Sequence, residues 1–81
     1  MNNRNPKQGS EVFMDKYILT KREKEIFTLL VTNKTTGEIA TILNISEKTV
    51  RNHISNAIQK LGVKGRAQAV VELLRMNIIS L

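Results

Sequence analysis

The sequence predicts an all-α domain of four helices, the middle two joined as a helix-turn-helix. Three observations carry this. Apolar residues recur at helical spacing in successive short segments after residue 19. Threonine or serine stands where three of these segments begin, and asparagine or glycine where they end. A two-turn segment is separated from a longer one by only three residues, the arrangement of a helix-turn-helix.

The chain has 81 residues and is 41% hydrophobic, which suits one small domain with a thin core. It contains no cysteine, so neither disulfides nor thiolate metal sites are available to stiffen it. No apolar run approaches the ~20 residues of a membrane span. "MNNRNPKQGS" lacks the hydrophobic core of a signal peptide.

Residues 1–18 are polar at first, with Pro6 and Gly9, and end in an apolar patch of Val12, Phe13, Met14, Tyr17 and Ile18. They read as a flexible tail, whose apolar end either packs on the domain or stays mobile. Residues 19–81 then form the domain.

The first helix starts in "LTKREKEIFTLLVTNK", where Thr20 and Glu23 have the spacing of a capping box. Ile26, Phe27, Leu30 and Val31 make one buried stripe, and Asn33 and Lys34 suit the C-terminal end. In "TTGEIATILNIS", Thr36 caps a short helix carrying Ile39, Ala40, Ile42 and Leu43. Gly37 is out of place there and is expected to loosen the first turn. Asn44 suits a left-handed stop, and Ser46 caps the helix that follows.

That third helix, "SEKTVRNHISNAIQKLGV", places Val50, Ile54, Ala57, Ile58 and Leu61 on one side and is stopped by Gly62. Its opposite side is unusual. Lys48, Asn52, Ser55 and Gln59 lie there, flanked by Arg51 and by His53, Asn56 and Lys60, with no acid among them. Solvated helix faces usually mix signs so that residues four apart can pair.

The closing helix, in "GRAQAVVELLRMNIISL", has two apolar faces. Ala67, Val70, Val71 and Leu74 are expected to cover the core. Ala69, Leu73 and Met76 are expected to form a dimer interface, because a monomer has no use for a second apolar face.

Charge narrows the class of partner. The chain carries a net +6, and residues 46–66 hold Lys48, Arg51, Lys60, Lys64 and Arg66 against Glu47 alone, a net +4 in a quarter of the length. A basic cluster favours polyanions. The acid-free face has the chemistry of a helix that enters the DNA major groove. Arginine forks onto guanine, asparagine bridges adenine and serine bonds either way, whereas phosphates repel carboxylates. Thr36 with the free amides of the short helix, Lys48 and Lys60 are suited to phosphate, which sets register without reading sequence.

Taken together, "LTKREKEIFTLL", "TTGEIATILNISEKTVRNHISNAIQKLGV" and "GRAQAVVELL" resemble the LuxR-type DNA-binding domain, a four-helix module that ends many bacterial transcription regulators. The likeness covers about residues 19–78. Within the family the chain is similar to a free-standing regulator of spore-coat genes. The resemblance implies a homodimer on paired half-sites of promoter DNA, joined through the last helix, with RNA polymerase as a further partner. It also implies control of late sporulation genes in the mother cell, in the cytoplasm at the nucleoid. By position it implies base contacts from Arg51, Asn52 and Ser55, with Lys48 and Asn56 near, and phosphate contacts from Thr36, Thr49, His53 and Lys60. It further implies that Glu25 pairs internally with Lys60 or Arg66, which leaves Lys60 two competing roles. Eighteen preceding residues are too few for a sensor or receiver domain, so control is expected through the amount of protein made.

Other classes fare worse. With one histidine, one aspartate and no cysteine, no nucleophile–base–orienter set can be assembled, and neither metal nor cofactor is expected. A helix-turn-helix that contacts RNA polymerase or an anti-factor instead of DNA is the main alternative. It would want apolar or aromatic anchors on the outward face of the third helix, which has none. RNA binding lacks an exposed aromatic for stacking, and membrane binding lacks large apolar residues on that side.

Overall fold

The computed structural model describes residues 18–81. The expected tail therefore lies outside the described residues except for Ile18. Four helices follow in order, α1 (Lys21–Val31), α2 (Thr36–Leu43), α3 (Glu47–Leu61) and α4 (Arg66–Arg75). No strand occurs among the described residues.

Local chemistry sets both ends of nearly every helix. Thr20 and Glu23 form the expected capping box on α1, with Glu23 N donating to Thr20 Oγ1 and Thr20 N to Glu23 Oε1. For α2 the cap is Thr35, one residue earlier than expected. Thr35 has the extended backbone of a cap and forms a full box with Glu38, whereas Thr36 is already the first helical residue. Ser46 caps α3 by accepting the Thr49 amide. Only α4 begins without a side-chain cap.

All four helices stop in the same way. Asn33, Asn44, Gly62 and Asn77 adopt left-handed backbone, φ 58–69°. After each, the next amide reaches back five residues, as in Lys34 N to Leu29 O, Ile45 N to Ala40 O, Val63 N to Ile58 O and Ile78 N to Leu73 O. This is the Schellman closure, and asparagine and glycine are the residues that tolerate its geometry. The turn of the helix-turn-helix is thus Asn44, Ile45 and Ser46, with Ile45 packed against the core.

α3 is the central element and packs against each of the other three helices. Ile26 and Phe27 of α1, Ile39 of α2, Val50, Ile54 and Ala57 of α3, and Ala69 and Leu73 of α4 form the core. Ile79, beyond α4, closes it at 5% exposure.

The α4 faces differ from those expected, although Val70 and Leu74 do pack against the core. Ala69 and Leu73 are fully buried against α3, and Met76 packs half-buried beside them, so these three are core and not a free dimer surface. Val71 is 52% exposed and Ala67 is exposed, while Val70 and Leu74 sit half-buried at the boundary. Both faces are apolar, so periodicity groups the residues correctly without showing which group turns inward.

Candidate nucleic-acid interface

α3 spends its inward face on the rest of the domain, leaving its outward face as a ridge that no described helix covers. Lys48, Arg51, Asn52, Ser55 and Asn56 are all exposed along it, as is Gln59. From Lys48 to Asn56 the ridge runs ~12 Å at 1.5 Å per residue. Long donors, amides and a hydroxyl are thereby held on a rigid rod whose other side is locked into the core. The five expected base-reading residues share one accessible surface.

The four expected phosphate residues do not form a comparable set. Thr36 Oγ1 donates to Glu47 Oε2 at 2.8 Å. Thr49 is half-buried, and its hydroxyl lies 2.8 Å from Ser46 Oγ. His53 is half-buried on the flank of the ridge. Lys60 Nζ is bound to an acid of α1.

That acid is Glu23, not Glu25. Lys60 Nζ donates to Glu23 Oε1 at 2.8 Å and Oε2 at 3.0 Å, while Glu25 pairs with Arg22 one turn away at 3.2 Å. Glu23 faces inward at 2% exposure, and Glu25, two residues and 200° further round α1, points toward its own helix surface. Burial pushes the Glu23 carboxyl up. The Lys60 ammonium and the Thr20 amide outweigh burial and hold it below the ordinary glutamate value.

Glu47 is a residue beside the α3 ridge that sequence does not mark out. It starts α3 and its Oε2 takes both the Thr36 hydroxyl and, at 3.4 Å, Arg51 Nη1. The Glu–Arg spacing of four is a legible signal for the second contact. The first joins residues eleven apart and needs the folded turn.

Apolar exposure lies elsewhere. Ile42 on α2 and Val71 on α4 are each about half exposed, and neither is on the α3 ridge. The ridge therefore lacks the anchors a protein-contact face would carry. No described helix is long and apolar enough to cross a membrane.

Comparison with known proteins agrees with this geometry. Residues 17–73 match the family model described as bacterial regulatory proteins, luxR family. The chain is 72% identical over 69 residues to the spore germination protein GerE of Bacillus subtilis (strain 168), covering 85% of this chain and 93% of that one. It is 48% identical over 59 residues to the transcriptional regulatory protein DegU of Brevibacillus brevis, of which it spans only 25%. Among solved structures, that of transcription factor GerE superposes with a TM-score of 0.76 at 63% identity, covering 78% of this chain and 94% of that chain.

Proposed function

The chain belongs to the luxR family of bacterial regulatory proteins, and from that membership we propose that it acts as a dimer on promoter DNA, with one α3 in the major groove of each half-site. It is a DNA-binding transcription regulator and not an enzyme. The DNA-binding unit is residues 19–81. The observation that carries the reading is the α3 ridge, which presents Lys48, Arg51, Asn52, Ser55 and Asn56 together on a helix immobilised by its three neighbours.

In this arrangement Arg51, Asn52 and Ser55 read base edges, with Lys48 and Asn56 at the margins. Lys48, Thr49, His53 and the α2 N-terminus beside Thr36 approach the flanking phosphates and set register. Lys60 serves Glu23 and stays out of the contact. The dimer forms through the outward face of α4, around Val71 and Ala67, an apolar surface that is exposed among the described residues. Two α3 helices on one side of a duplex require half-sites about one turn apart, ~34 Å.

The genes controlled are those of late sporulation and the spore coat, in the mother cell, with the protein in the cytoplasm at the nucleoid and in contact with RNA polymerase. The 72% identity to a spore germination protein over nearly its whole length supports this assignment.

Selection of bound duplexes from a random pool at physiological salt tests the reading. Paired, regularly spaced half-sites are expected. An unenriched pool would leave only charge attraction and overturn base reading.

A further inference from the structure

One carboxylate oxygen, Oε2 of Glu47, joins the two helices of the helix-turn-helix. It starts α3, accepts the Thr36 hydroxyl from the first turn of α2 at 2.8 Å, and receives Arg51 Nη1 from the next turn of α3 at 3.4 Å. Glu47 is half exposed, and so is Arg51. A stability role for such a pair is small, because exposed ion pairs contribute little. Its position matters more.

A carboxylate beside the reading ridge lowers affinity for any DNA, since phosphates repel it. It also sits within reach of the one arginine on that ridge. An unrestrained arginine beside a polyanion is taken up by phosphate oxygens, and phosphate contacts carry no sequence information. Glu47 competes for that guanidinium. It cannot satisfy it, because arginine has five N–H donors and two suffice for a guanine edge. One nitrogen can therefore remain on Glu47 while the fork addresses a base. The Thr36 hydrogen bond fixes the carboxylate from the far side, so the restraint is anchored on α2 and does not simply follow the arginine.

We propose that Glu47 is a specificity-determining positioning residue, which holds Arg51 in a base-reading pose and withholds it from backbone phosphate. This rests on the reading of α3 as the base-reading helix.

The test compares the full chain with its E47Q, E47A, E47D, R51A and E47A/R51A variants. Each is titrated over a salt series with a duplex recovered by selection and with a random-sequence duplex pool. E47Q and E47A are expected to bind random DNA more tightly, with a salt slope steeper by about one phosphate contact. Their ratio of specific to random affinity should fall about ten-fold, within the range of one base-edge contact. E47D should retain most of the ratio, and E47A/R51A should lose no more of it than R51A alone. An unchanged ratio in E47Q and E47A, with R51A reducing it, would overturn the role of Glu47 and leave base reading intact. A ratio unchanged in R51A would overturn base reading by this arginine, and the inference with it. Loss of preference at a cytosine alone, with guanine preference intact, would also overturn the proposal and reassign Glu47 to direct base reading.

Discussion

Lys60 Nζ lies 2.8 Å from Glu23 Oε1, joining the last turn of α3 to the first turn of α1 across 37 residues of sequence. The same carboxylate oxygen accepts the Thr20 amide, so one buried side chain caps α1 and fastens it to α3.

Removing Lys60 leaves Glu23 buried with its cap alone. Lys60→Met is expected to cost about 1–3 kcal/mol, less than for a fully buried pair because the lysine is a third exposed. The effect should depend on pH. Glu23 has a lowered pKa when folded, so the pair's stabilisation is present above the unfolded value of about 4.3 and is lost as pH falls through the lower folded value. Urea denaturation at pH 7 and pH 3 checks this, and the gap between wild type and variant should narrow at pH 3.

Asn44 holds left-handed backbone at the turn between α2 and α3, with φ 58° and ψ 47°. Asn44→Ala should cost about 1–2 kcal/mol, and Asn44→Gly much less, because only the former introduces a Cβ without a local hydrogen-bonding side chain. Equal losses in thermal denaturation would place the effect in the asparagine side chain instead of the backbone.

The two faces of α4 should separate in experiment. Leu73→Ala, in the core, is expected to lose about 2–5 kcal/mol of stability. Val71→Glu, on the outward face, should leave the monomer folded and shift sedimentation from dimer to monomer. A dimer that survives Val71→Glu would move the interface off this face.

Gly37 lies in the first turn of α2 with ordinary space for an added methyl, the nearest atoms being 3.9 Å away. Gly37→Ala should therefore stabilise the domain by up to about 1 kcal/mol through reduced backbone freedom. Destabilisation in urea titration would show that the Thr36–Glu47 contact beside it needs the glycine.

What the sequence by itself determined is local. Caps such as Thr20 with Glu23, stops such as Asn44 and Gly62, and the stripe Val50, Ile54, Ala57 all depend on residues within two helical turns of one another. Side-chain spacing on a single helix encodes them directly, and the exposed ridge follows as the complement of that stripe. The family likeness is equally legible, being carried by contiguous motifs.

Tertiary structure alone decided three things. It chose the Ala69–Leu73 face of α4 for the core, since two apolar faces are equivalent until a partner surface is in place. It chose Glu23 over Glu25 for Lys60, a choice set by how α1 is rotated about its axis against α3. It brought Thr36 to Glu47 and thereby linked Arg51 to the neighbouring helix. Each depends on the rotation and crossing of one helix against another, which arises only when the core packs, and no spacing within a single helix contains it.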